Sequence, residues 1–194
     1  MAKTEPNLQG ANILLGVSGG VAAYKAVDLA SKLTVAGAAV RTIMTENACE
    51  FIRPKSFEAV TRSAVYTSLW TNPEEFKGDH TGLLDWADIV VVAPATANII
   101  GKIANGICDD LLSTTVCVCW KKPTLIAPAL NENKWKNPAV QRNVKTIKEM
   151  GFKLIGPEKG RLACGTEGIG RMSEPQEILK AIEKLASKIR HSKK

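Results

Sequence analysis

The chain alternates short, unbroken apolar runs with segments whose apolar residues recur at helical spacing. Asn12-Ile13-Leu14-Leu15-Gly16-Val17 is the first run, Ala39 to Met44 the second, and Ile89-Val90-Val91-Val92-Ala93 the most apolar. Pro123 to Ala127 and Phe152 to Ile155 complete the set. Runs without in–out alternation predict strands buried on both faces, as in parallel sheets. Between them, Ala26, Leu29, Ala30 and Leu33 share one helical face that Gly37 terminates. Helices are predicted over Ala97 to Ala104 and, opening on proline, over Pro138 to Met150. A last helix begins near Pro175 and aligns Ile178, Ile182, Leu185 and Ile189. Strands alternating with helices predict an α/β fold of three layers, a Rossmann-like or flavodoxin-like parallel sheet with helices on both faces.

One stretch breaks the rhythm. Gly156 to Met172 holds five glycines, a proline and three basic residues without any period. So long an aperiodic connection predicts a mobile functional loop. Otherwise the 194 residues read as a single domain, with loose ends over about 1–10 and 187–194.

Composition narrows the function classes. The net charge of +7 draws partly on a terminal cluster, Lys184, Lys188, Arg190, Lys193 and Lys194. A solvated helix face and tail accounts for that cluster; attraction of an anionic ligand is the alternative. Nucleic-acid binding is not expected, because no basic motif carries base-reading or stacking groups. No run nears the roughly 18 apolar residues of a membrane span. The five cysteines have no disulfide-scaffold spacing, and no leader precedes the fold, so the cytoplasm is the expected compartment. Cys117 and Cys119 are expected to alternate on a buried strand, and they and the two histidines make no metal-ligand set. Cys49, Cys108, Cys117 and Cys119, among apolar neighbours, read as inert filling.

Ligands of open parallel sheets bind beyond the carboxyl ends of the strands. Four loops leave strands there. Ser18-Gly19-Gly20 runs into a helix and suits either a tight turn or a phosphate held on backbone amides. Its spacing is neither G-x-G-x-x-G nor a P-loop. Thr45 suits a helix cap or a ligand contact. Thr96, in Pro94-Ala95-Thr96-Ala97-Asn98, suits a cap, with Asn98 in the first turn. Asn131, in Pro128-Ala129-Leu130-Asn131, can hold a carboxylate through its amide NH₂. Two further residues stand apart. His80 has the pKa range for acid–base work. Cys164, flanked by Ala163 and Gly165 in the aperiodic stretch, offers a loop thiol as proton donor.

Together these motifs resemble the flavin-containing cysteine decarboxylases from about Asn12 to Leu185. Ser18 to Lys25 is similar to the family's flavin-phosphate loop, Pro94 to Asn98 to its Pro-Ala-Ser-Ala-Asn-Thr motif, and Pro128 to Asn131 to its Pro-Ala-Met-Asn motif. Arg161 to Gly165 with Gly170-Arg171-Met172 resembles its substrate clamp, and His80, six residues before Trp86, its active-site histidine. The chain departs from the pattern at Leu130, at Lys134 and at Thr166, which stands where an aspartate is common.

The resemblance implies FMN as cofactor, held by Ser18, Gly19, Gly20, Val21, Thr45, Thr96, Ala97, Asn98, Ser113 and Ala129. It implies His80, Asn131 and Cys164 as catalytic residues, with substrate also touched by Arg161, Ala163 and Met172. The expected reaction is oxidative decarboxylation of 4′-phosphopantothenoylcysteine through a thioaldehyde and an enethiolate, with final reduction to 4′-phosphopantetheine. A peptidyl-cysteine decarboxylase ending at the enethiol, and a non-catalytic phosphatase-regulatory relative, are the alternatives. The resemblance also implies a homotrimer with shared sites. Bifunctional bacterial members continue into a synthetase domain, and this chain is expected to provide the decarboxylase part alone.

Overall fold

The computed structural model describes residues 7–70 and 79–192, with the side chains of 79–81 and 190–192 outside that description. Six parallel strands form its centre: β1 (Asn12–Val17), β2 (Ala39–Met44), β3 (Val65–Tyr66), β4 (Ile89–Ala95), β5 (Thr124–Pro128) and β6 (Lys153–Leu154). Their order is β3-β2-β1-β4-β5-β6. The order reverses between β1 and β4, whose pairing runs from Ile13↔Ile89 to Gly16↔Val92. A crevice opens at such a reversal, because the crossovers leave it toward opposite faces of the sheet.

The central strands are buried on both faces, which explains their unbroken apolar runs. Along β1, Ile13, Leu15 and Val17 join one core cluster and Leu14 the other. Along β4, Ile89, Val91 and Ala93 face the first cluster, Val90 and Val92 the second. The first face is covered by α1 (Ala23–Val35), α3 (Pro54–Thr61) and α9 (Pro175–Ser192), through Leu29, Leu33, Phe57, Ile178 and Ile182. The second is covered by α4 (Asp79–Trp86), α5 (Ala97–Asn105), α6 (Leu111–Val118) and α8 (Pro138–Glu149), through Leu83, Ile99, Ile103, Leu112, Val116 and Ile147. Two short helices, α2 (Glu46–Cys49) and α7 (Glu132–Lys136), follow β2 and β5.

The strand β3 has no counterpart among the predicted runs, and two expectations are overturned. The aperiodic stretch folds into an antiparallel hairpin of β7 (Glu158–Arg161) and β8 (Glu167–Arg171). The burial of β8 does alternate, but its buried positions are Gly168 and Gly170, so no apolar period marks it. The residues around Cys117 and Cys119 are helical, not a strand. Asp110 and Ser113 close a reciprocal capping box at the start of α6, which outweighs the β-branched run that follows. Cys117 is therefore exposed and Cys119 buried; Cys108, in the preceding turn, is exposed as well.

Candidate active site

The loops leaving β1, β2, β4 and β5, together with the hairpin, enclose a cleft of about 1270 Å³ at the strand-order reversal. Among the described side chains, every sequence-predicted site residue except Ser113 lines it. Ser113 is buried, its hydroxyl spent in the α6 capping box: Oγ meets Asp110 O at 3.1 Å and accepts from Asp110 N at 3.2 Å. His80 lies in α4, but its side chain is outside the described residues.

Ser18 ties the two loops at the reversal. Its buried hydroxyl donates to Pro94 O at 2.8 Å and accepts from Thr96 N at 3.0 Å. Thr96 caps α5, with Oγ1 accepting from Ile99 N at 3.5 Å, and Thr45 caps α2, with Oγ1 accepting from Ala48 N at 3.2 Å. Both threonines therefore fill the capping role that their sequence context allowed. Gly19 has no room for a side chain: a Cβ would lie 2.5 Å from Asn47 Cβ and 2.8 Å from its carbonyl oxygen. Among the described residues, the N–H groups of Gly19, Gly20 and Val21 meet no hydrogen-bond acceptor. Those of Ala97 and Asn98, in the first turn of α5, meet none either. Free amides at two helix starts, with the dipoles behind them, suit an anion such as a phosphate.

Polar residues unmarked by sequence reasoning share this wall. Lys102 reaches Asp109 at 2.7 Å and Asp110 at 2.6 Å. Burial works against its charge, but the two carboxylates outweigh that and raise its pKa. Asp109 is lowered in return, chiefly by its bond to Lys102. The only sequence signal was Asp110 three residues before Ser113, readable as a cap. Lys25, at the other end, donates to Glu174 Oε1 at 2.8 Å and ties α1 to the start of α9.

The opposite wall brings Asn131 and Cys164 together. Asn131 caps α7: its Oδ1 accepts from Asn133 N at 2.8 Å. That bond fixes which end of the amide is free. Nδ2 donates to Cys164 Sγ at 3.4 Å. Cys164 sits in the hairpin turn, which is closed by Leu162 N donating to Thr166 O at 2.8 Å and Gly165 N to Leu162 O at 2.9 Å. The hairpin is fastened to the Asn131 loop by Leu130 N donating to Gly170 O at 2.9 Å. There is no space there for a side chain, since a Cβ on Gly170 would fall 1.9 Å from Leu130 O. Glu132 adds a second fastening, accepting from Ile169 N at 3.4 Å while pairing with Lys136 at 3.0 Å. Its pKa is lowered, first by Lys136 and then by that amide.

Cys164 differs from the other thiols. Hydrogen bonds from the Thr166 side chain and backbone, and then from Asn131, hold it below the ordinary thiol value, with slight burial opposing them. Burial pushes Cys119 up to about 11, and burial is also the main cause that raises Cys49. Among the remaining expected contacts, Arg161 and Ala163 are exposed at the cleft, whereas Met172 is only 1% exposed and packs into the core. Lys134 lines the cleft from α7 and makes no ion pair among the described residues. The described residues contain no cluster of His, Cys, Asp or Glu fit for a metal, and no helix long and apolar enough to cross a membrane.

A family model described as Flavoprotein matches residues 1–187. The chain belongs to the Flavoprotein family. Within it, the chain is 49% identical over 177 residues to the coenzyme A biosynthesis bifunctional protein CoaBC of Bacillus subtilis (strain 168). That alignment takes in 91% of this chain but only 43% of the relative, so the chain spans less than half the relative's length. The fold matches a mutant PPC decarboxylase complexed with pantothenoylaminoethenethiol, with TM-score 0.79 and 36% identity over 89% of this chain and 96% of that one. It also matches the FMN-dependent cysteine decarboxylase SpaF, with TM-score 0.78 and 34% identity over 93% and 99% of the two chains. The order of strands and the helices on both faces are thus those of a flavoprotein α/β fold.

Proposed function

We propose that this chain is an FMN-dependent carboxy-lyase that converts 4′-phosphopantothenoylcysteine to 4′-phosphopantetheine in coenzyme A synthesis. The observation that carries the reading is the meeting of the Asn131 amide and the Cys164 thiol, 3.4 Å apart, at a cleft whose other wall is built of helix starts.

The Gly19–Val21 and Ala97–Asn98 amides fit the FMN phosphate, and the bond between Ser18 and Thr96 ties the two loops together. When bound, FMN supplies a two-electron oxidation of the substrate thiol and the return of those electrons to the decarboxylated product. Everything else falls to side chains. The free NH₂ of Asn131 holds the substrate carboxylate. His80 assists loss of CO₂ as a base or orienting group. Cys164 gives its proton to the carbon that lost CO₂ and is left as a thiolate. Arg161 and Lys134, exposed at the cleft, suit the substrate's phosphate.

A peptidyl-cysteine decarboxylase is the second reading, and the likeness to the FMN-dependent cysteine decarboxylase SpaF supports a shared fold for cysteine decarboxylases. The Cys164 thiol favours the first reading, because an enzyme that stops at an enethiol has no proton to add at the end. We infer further that one domain carries this activity, that the hairpin is its substrate clamp, and that copies of the chain assemble as a homotrimer. Val21, Tyr24 and Phe51 line the cleft at 55, 61 and 52% exposure, and a neighbouring subunit would cover them. The five free cysteines favour a reducing compartment, the cytoplasm.

The cofactor assignment is tested by the visible absorption of the purified protein after addition of FMN and gel filtration. Flavin bands are expected to remain with wild type and to be lost with Gly19→Ala, whose Cβ has no room beside Asn47. Wild type without flavin bands contradicts the proposal.

A further inference from the structure

The hairpin turn places a second residue against the sulfur that the proposed reaction uses. Thr166 Oγ1 lies 3.1 Å from Cys164 Sγ, while Asn131 Nδ2 approaches at 3.4 Å. Thr166 is exposed, and its carbonyl already accepts from Leu162 N. Its hydroxyl has no hydrogen-bond partner other than the thiol among the described residues.

We propose that Thr166 is a positioning residue for Cys164, aiming its sulfur and donating to it as the thiol gives up its proton. In the thiol, either group can be the donor. Once the proton has gone to substrate, only the threonine O–H can donate. The contact then becomes a charge-assisted bond that strengthens along the transfer. Asn131 donates throughout. Its amide therefore serves both the carboxylate that leaves and the thiolate that remains.

The charges nearby leave this role to the two neutral donors. Arg161 and Glu167 flank the turn; Glu132, Lys134 and Lys136 lie on α7; Arg171 and Glu174 lie at the hairpin's exit. Glu132 is engaged with Lys136, and Glu174 with Lys25. Among the described residues, none of these charged groups bonds Sγ. The lowered thiol pKa, with Thr166 as its first cause, agrees with the geometry.

The inference rests on the reading of Cys164 as proton donor, and its test has one readout that needs no turnover. In the FMN-loaded protein, the alkylation rate of Cys164 by iodoacetamide is followed against pH, read by mass spectrometry on the peptide that trypsin releases after Arg161 and Arg171. Thr166→Val keeps the branched shape and the backbone bonds. It is expected to move the titration midpoint upward and to slow alkylation at pH 7 severalfold, with Thr166→Ser restoring wild-type behaviour. The same variant, given substrate, is expected to release CO₂ while a larger share of product leaves as the enethiol. A midpoint unchanged by Thr166→Val, or one that Thr166→Ser fails to restore, overturns the role of Thr166. Should the midpoint shift as expected while wild type releases no CO₂, the decarboxylase reading fails and the positioning of the thiol stands.

Discussion

At the scale of single residues, the site turns on polar groups whose orientation is fixed by an ordinary structural bond. Asn131 faces Cys164 with its NH₂ because its oxygen is committed to the α7 cap. Ser18 holds two loops with one hydroxyl. Sequence could place these side chains at strand ends, but could not say which atom points where. Cys164→Ser tests the division of labour. The variant keeps Asn131 and the cleft but has a far weaker acid at the turn. It is expected to release CO₂ and accumulate the unsaturated enethiol, while formation of saturated product falls by about 10²- to 10⁴-fold, the usual range for a lost general acid. Product analysis by mass spectrometry checks it, and full yield of saturated thiol would remove Cys164 from that role.

Among the elements, the hairpin decides whether the site is complete. It carries Cys164, yet its hold on the body comes from the Leu130–Gly170 bond and from Glu132 against Ile169. Gly170→Ala sets a Cβ against Leu130 O and is expected to pull the hairpin from Asn131. FMN binding should persist, because the loops proposed to hold its phosphate lie on the other wall, while saturated product is lost; flavin absorbance and product analysis on one sample separate the two. Five of the six strands of the main sheet were legible as apolar runs, the central ones because both faces are buried, whereas β3 is only two residues long and was not. The hairpin was not, because its buried positions are glycines chosen for close approach and carry no apolar signal. Nor was α6, whose β-branched residues read as strand until the Asp110–Ser113 cap is seen. The same logic gives a stability expectation for α9. Ile182 is fully buried on the face that the helical spacing marked. Ile182→Ala is expected to cost about 2–5 kcal/mol, the usual range for such a cavity, measured as a lower midpoint of chemical denaturation. A cost below about 1 kcal/mol would mean that α9 does not close that face of the core.

For the molecule as a whole, function follows from where the strand order reverses. The loops after β1 and β4 part there, and the residues after β2 and β5 reach the same edge, so groups far apart in sequence converge on one cleft. That convergence was foreseeable, since α/β alternation fixes which ends of the strands carry ligands. The Lys102–Asp109–Asp110 group was not, because its members belong to no strand-end motif. The family model covers residues 1–187, and the chain spans under half of the Bacillus subtilis relative. The most direct test is anaerobic incubation of the FMN-loaded protein with 4′-phosphopantothenoylcysteine, followed by mass analysis of everything released. The account predicts CO₂ together with saturated 4′-phosphopantetheine, with FMN returned to its oxidised spectrum. Release of the enethiol alone by wild type, or flavin-bearing protein that leaves the substrate intact, would contradict it.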